Sequence, residues 1–138
     1  MNTKLLLSVS ALVMGAAGIA GLFMPEELLR WTGTDSGAIA RTLVQVLAAL
    51  YFAFAMVNWT ARGSLIGGIY NRPVALGNLT HFVIGALTLV QAAVSGDGAV
   101  VTLAVVYAVF AVAFSVVFFR SPVAPGIVTD GDRGAALP

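Results

Sequence analysis

Cysteine is absent from the 138 residues. That removes disulfides, thiolate nucleophiles, iron–sulfur clusters and cysteine zinc sites together. Histidine occurs once, as His81, so no multi-histidine metal site can form within one chain. Charge is scarce too: 9% of residues are Asp, Glu, Lys or Arg, against about 25% in an ordinary globular domain. A soluble fold with so few charges can hardly cover its surface. The net charge is only +1 and no basic cluster is present to hold phosphates, so nucleic-acid binding is set aside.

What is present is apolar: 59% of the chain is hydrophobic. Four uncharged stretches stand out, at Leu5–Met24, Thr42–Ala61, Val74–Val94 and Ala99–Phe119. Each approaches the ~20 residues that a helix needs to cross a hydrocarbon core of ~30 Å. In lipid a helix satisfies its own backbone polar groups, which a lone strand cannot do. The first stretch also has features of a secretory leader: a basic start at Lys4 and small residues across Gly15–Gly21. Its apolar run is longer than a leader's usual core, so it reads as a retained span.

The basic residues give the spans a direction. With the N-terminus inside, Lys4, Arg62, Arg72, Arg120 and Arg133 are cytoplasmic, and only Arg30 and Arg41 are outside. Glu26, Glu27, Asp35 and Asp97 then face outward. The positive-inside rule favours this arrangement, and an even number of spans returns the C-terminus to the cytoplasm.

The connections differ in kind. Pro25 suits the first turn of a new helix, and Glu26 and Glu27 favour its positive end. This predicts a short interfacial helix running on through Leu28, Leu29 and Trp31 to Gly33. Ser95-Gly96-Asp97-Gly98 predicts a tight turn that makes spans three and four neighbours. The stretch from Arg62 to Pro73 carries Leu65, Ile66, Ile69 and Tyr70 among glycines. It reads either as an interfacial turn with apolar side chains dipping into lipid, or as a loop folded back over the mouth of the bundle. The tail after Arg120, rich in proline and glycine, is expected to be flexible.

Without a hydrophobic drive between helices in lipid, small residues let them approach. Span one has Ala11/Gly15 and Ala17/Gly21, and span two has Ala49/Ala53. Polar residues within spans are rarer and more informative. In span three, Asn78, His81, Gly85, Thr88 and Ala92 recur at helical spacing, with Leu79, Phe82, Val83 and Ile84 flanking or facing lipid. In span two, Tyr51, Ala55, Asn58 and Arg62 form a similar row. Asn58 and Asn78 lie equally far from the middle of their connecting loop, so they are expected at one depth, with His81 a turn deeper. Gln45 and Gln91 match in the same way at the outer end. Helical rotation prevents Gln45 and Asn58 from both facing one neighbour squarely.

The candidate site is therefore Asn58, Arg62, Asn78 and His81, with Trp59, Tyr70 and Arg72 at its rim. Two readings stay open. The residues are interhelical hydrogen-bond glue and interfacial anchors, or they hold a ligand. No span has an Asp, Glu, Lys or Arg in its interior, and ion-coupled transport usually needs an intramembrane carboxylate. Acid–base catalysis would rest on His81 alone, with no carboxylate to orient it. No cofactor or metal is implied.

Three segments carry a resemblance: FMPEELL at 23–29, ARTLVQVLAALYFAFAMVNWTARGS at 40–64 and GGIYNRPVALGNLTHFVIGAL at 67–87. In these the chain is similar to the small four-helix bacterial membrane proteins grouped as DoxX-like. ART at 40–42 and ALGNLTHF at 75–82 also resemble the four-helix scaffold family of ergosterol biosynthesis, which implies tethering of enzymes rather than catalysis. The acidic and glycine signature of DoxX proper between the middle helices is absent here. Neither likeness carries a catalytic residue to this chain.

These readings together predict an all-α, integral membrane four-helix bundle, up-down-up-down with both termini cytoplasmic. Residues 1–120 form its single domain and 121–138 a tail. The expected setting is a bacterial inner membrane. The expected role is a scaffold or accessory subunit that self-associates or joins a larger membrane protein. The alternative is a protein that binds or transports a lipid or an apolar small molecule at the mouth between spans two and three.

Overall fold

In a computed structural model, residues 2–33, 37–63, 72–94, 96 and 98–120 are described. They form five α-helices: α1 Thr3–Phe23, α2 Pro25–Trp31, α3 Ala38–Ala61, α4 Arg72–Ala93 and α5 Gly98–Arg120. All but α2 are long and apolar enough to cross a membrane. The predicted tail and most of the stretch between α3 and α4, Tyr70 included, lie outside the described residues.

Local chemistry sets the helix ends. The Asn2 side chain accepts a hydrogen bond from the Leu5 backbone N–H at 3.2 Å, capping α1. Met24 is the joint at which α1 stops and α2 begins, with Pro25 in the first turn and Glu26 and Glu27 behind it. Helix α3 begins at Ala38, four residues before the apolar run at Thr42. Arg41 interrupts the hydrophobicity but not the helix, because its guanidinium pairs with Glu26 of α2 at 2.6 Å. Gly96, at φ +80°, makes the left-handed residue that the turn between α4 and α5 needs.

Buried positions along α1 are Leu7, Ala11, Met14, Gly18 and Gly21, alternating steps of four and three, with Ser10 beside them. Helix α5 repeats the pattern at Ala104, Tyr107, Ala111 and Phe114. This 3.5-residue period is the seam of left-handed helix pairs. Most helix-to-helix contact falls within two pairs, α1 with α3 and α4 with α5, and lighter contacts join α3 to α4 and α1 to α5.

The first pair closes over glycine. A Cβ on Gly18 would stand 2.9 Å from the Ala48 carbonyl oxygen and 2.9 Å from the Phe52 nitrogen, so the two backbones touch there. The packing face of α3 is Ala48 and Ala55, whereas Ala49 and Ala53 are exposed. The close-packing face expected at Ala49 and Ala53 is therefore corrected to Ala48 and Ala55. The second pair closes over rings. Phe82 stacks on Phe110 and Phe114 at centroid distances of 4.7 and 5.7 Å. Of the residues expected to flank the polar stripe or face lipid, Phe82 thus sits in the core.

The outer faces carry Leu43, Val46, Leu50, Ile84, Leu87 and Val109, all exposed. Several hydroxyls on the helices return to their own backbone: Thr60 donates to the Met56 carbonyl at 2.9 Å, Thr88 to Ile84 at 3.0 Å and Ser115 to Ala111 at 2.7 Å. Thr88 was expected on an inward stripe with Asn78 and His81, but it and Ala92 are exposed.

Candidate functional site

Asn58 of α3 and Asn78 of α4 face each other with reciprocal amide hydrogen bonds. Asn58 Nδ2 donates to Asn78 Oδ1 at 2.8 Å, and Asn78 Nδ2 donates to Asn58 Oδ1 at 2.6 Å. Each amide has a second N–H to place. Asn58 gives it to Ser10 Oγ of α1 at 3.1 Å, and Asn78 gives it to the Val74 carbonyl at 2.9 Å. Ser10 in turn donates to the Leu7 carbonyl at 3.1 Å. Met14 Sδ lies 3.8 Å from Asn58 Nδ2 and completes the enclosure. Asn58, Asn78 and Ser10 are all fully buried.

This knot ties α1, α3 and α4 together. Every amide hydrogen is committed, so no donor is left for a ligand. In a medium that offers no water, an unmade bond here would cost the desolvation of a buried amide. The amide hydrogens are thus spent among α1, α3 and α4. Ser10 and Met14 did not stand out in the sequence, although the four–three spacing from Leu7 to Gly21 puts Met14 on the α1 seam and Ser10 beside it.

His81 lies apart from the amides, in an aromatic surround. Its ring is stacked on Phe54 at 5.4 Å and meets Tyr51 and Phe82 edge-on at 5.4 and 5.1 Å. Its Nε2 is 3.2 Å from the Tyr107 hydroxyl of α5, which is in turn hydrogen-bonded to the Tyr51 hydroxyl of α3. The Tyr107 ring has room because residue 85 is glycine: a Cβ there would run into the ring. Imidazole and two phenols thus form one hydrogen-bonded chain across α4, α5 and α3. The sequence reading included His81 and Tyr51 but missed Tyr107, since a tyrosine in an apolar run carries no spacing signal.

The rim residues take separate positions. The Arg62 guanidinium lies over the Trp59 ring with 3.2 Å from Cζ to the centroid, a cation–π contact. Its Nη1 is buried with no hydrogen-bond partner among the described residues. Arg72 is over Phe118 at 5.6 Å. At the other end, Gln45 donates to the Leu22 carbonyl at 3.3 Å, and Gln91 is exposed.

Two recesses open among the helices. A polar one of about 500 Å³ lies where α2 meets α1 and α3, lined by Pro25, Glu26, Glu27, Arg41, Thr42 and Gln45. A second, about 280 Å³, is an apolar groove among α1, α2, α3 and α5 that includes Tyr51 in its wall.

Fold and interior together define a class: an all-helical protein with four helices able to cross a membrane, joined by buried hydrogen bonds. None of the protein-family models, curated proteins or solved structures compared with this chain matches it.

Proposed function

We propose that the chain is a scaffold or accessory subunit of a bacterial inner membrane that works by presenting helix faces to a second copy or to a larger membrane protein. The observation that carries this reading is the saturation of the Asn58–Asn78–Ser10 knot: the interior amides are spent on holding the helices to one another. The outer faces supply the contact surface. Within the most apolar stretch of each helix, 11% of α3 and 17% of α4 is buried, against 33% for α1 and α5. The middle helices thus keep most of their surface for lipid or a partner.

The proposed path through the bilayer is up-down-up-down. Its support is the reversed pairing of neighbours: Ser10, early in α1, meets Asn58, late in α3, and Gly21 lies against Ala48. Arg72, opening α4, meets Phe118, closing α5. Lys4, Arg62, Arg72 and Arg120 then gather at one end, which the positive-inside rule assigns to the cytoplasm with both termini.

The test is the state of the protein extracted in a mild detergent. A stable oligomer or a stoichiometric complex, read as mass by light scattering, is expected. A lone monomer carrying a bound small molecule overturns the reading.

A second reading, binding at the cytoplasmic mouth, is favoured by Arg62, whose Nη1 is buried and without a partner among the described residues. An anionic lipid headgroup is the natural counterpart in a membrane. Native mass spectrometry from phosphatidylglycerol nanodiscs is expected to show retained lipid that Arg62→Gln releases. Equal retention in the variant overturns this second reading.

A further inference from the structure

Arg62 caps the C-terminal end of α3, and its guanidinium is only partly served by its neighbours. The flat face lies on the Trp59 ring, 3.2 Å from Cζ to the centroid. Nη1 is buried with no hydrogen-bond partner among the described residues. No described carboxylate serves it either: Glu26 and Glu27 both belong to α2 and pair with Arg41 and Arg30. Stacking on a ring leaves the in-plane N–H fork free, and that fork matches a phosphate with two parallel bonds. A buried donor left unmatched is costly, so an anionic acceptor at this end of α3 is favoured.

Trp59 also belongs to the wall of an apolar groove between α1 and α3, about 270 Å³ in volume, with Ala11, Leu12, Gly15, Phe52 and Met56. Along α3 the groove extends from Phe52 to Trp59, roughly 10 Å at the rise of an α-helix. Its floor is open because residue 15 is glycine. Close packing does not demand glycine there: a Cβ on Gly15 would make ordinary 3.5 Å contact with Ala55, whereas one on Gly18 would meet backbone at 2.9 Å. Glycine is also a poorer helix former than alanine. One residue, Trp59, thus joins an unmatched cation to an apolar groove along two membrane-crossing helices.

We propose that this is a site for one anionic phospholipid, with its phosphate on Arg62 and one acyl chain lying over Gly15 between α1 and α3. This rests on the reading of Arg62 as the seat of an anionic headgroup, and adds the chain seat that makes the site one for a whole lipid. A free anion would gain nothing from the groove, and a neutral apolar molecule nothing from Arg62. The gathering of Lys4, Arg72 and Arg120 with Arg62 at one end of the bundle draws the same headgroups toward it.

The experiment uses the full chain in vesicles of mixed phosphatidylglycerol and phosphatidylcholine. Two probes are compared, phosphatidylglycerol and phosphatidylcholine carrying the same diazirine-bearing acyl chain. The phosphatidylglycerol probe is expected to label Leu12, Phe52 and Met56 about ten-fold more, the worth of one charge-assisted hydrogen bond. Arg62→Gln is expected to erase that preference. Gly15→Leu fills the groove at a position where a Cβ is accommodated. It is expected to abolish the selective labelling of the groove while native mass spectrometry still shows lipid whose retention depends on Arg62. Leu12→Trp, at an exposed rim position, repeats that test should Gly15→Leu loosen the helix pair. Equal labelling of the groove by the two probes overturns the proposal, even where Arg62→Gln releases lipid and the headgroup reading stands. Unchanged labelling in both groove-filling variants overturns it as well. An undiminished preference for phosphatidylglycerol in Arg62→Gln overturns this proposal and the headgroup reading together.

Discussion

The two helix pairs are built on opposite principles. In α1–α3 the surfaces are smooth: Gly18, Gly21, Ala48 and Ala55 let backbone approach backbone. In α4–α5 the surfaces are rough: Phe82, Tyr107, Phe110 and Phe114 fill the space with rings. Lipid tails are as apolar as either surface, so burial alone stabilises neither pair. Dispersion at close range does, and it is obtained once by removing side chains and once by stacking them. Polar links also run between the pairs: Asn58 to Asn78, and Tyr51 to Tyr107. Close packing makes each pair, and hydrogen bonds give the two pairs their relative placement.

That contrast can be broken from either side. Gly18→Ala is expected to have the largest effect. The new Cβ meets backbone atoms at 2.9 Å, which have no rotamer to escape into, so α1 and α3 must separate. The expected loss is about 3 kcal/mol, the upper end for overpacking. Phe114→Ala tests the other pair and is expected to cost about 2 kcal/mol, the cavity alone at ~24 cal/mol per Å³, because in lipid no transfer from water is lost. Both are read as shifts in the detergent unfolding midpoint. An equal response to the two substitutions would erase the distinction between smooth and stacked packing.

The bridge between the pairs comes next. Asn58→Ala strands the Asn78 N–H that was donating to it and is expected to cost about 1–2 kcal/mol. The double variant Asn58→Leu with Asn78→Leu removes both partners at once. It is expected to recover part of that loss in stability, because no buried donor is then left unmatched. A double variant worse than the sum of the singles would mean that the amides do more than satisfy each other. Unfolding midpoints of the wild type, Asn58→Leu, Asn78→Leu and the double variant, taken as a double-mutant cycle, separate these outcomes.

Some of this was legible in the sequence and some was not, for one physical reason. Hydropathy locates spans, since a helix in lipid must be apolar along its length, and Pro25 with Glu26 and Glu27 announces α2. Chain distance from the connecting loop puts Asn58 and Asn78 at a common depth. Rotation about each helix axis is the hidden variable. In water an apolar stripe marks the inner face, but in lipid both faces are apolar, so the sequence cannot separate Phe82, which packs in the core, from Ile84, which is exposed. Ala49 and Ala53 offer a small-residue pair four apart, while the buried face uses Ala48 and Ala55, seven apart. Tyr107 was invisible because its role depends on Gly85, a residue of another helix making room for its ring. Of the polar candidates, the amides resolve into a closed knot and His81 into a separate chain, a division that depth alone cannot reveal.

The smallest expected effect tests that point about rotation. Thr88 shares helical spacing with Asn78 and His81, yet it is exposed and its hydroxyl donates to the Ile84 carbonyl of its own helix. Thr88→Val keeps the shape and removes only that internal bond, which the carbonyl does not need because α-helical geometry already supplies it a donor. The unfolding midpoint is expected to move by less than about 0.5 kcal/mol, as for other exposed substitutions. A cost comparable to that of Asn58→Ala would mean that Thr88 faces protein, and α4 would have to be rotated. Phe82 would then leave the stack between Phe110 and Phe114, so the same measurement also checks the packing of the α4–α5 pair.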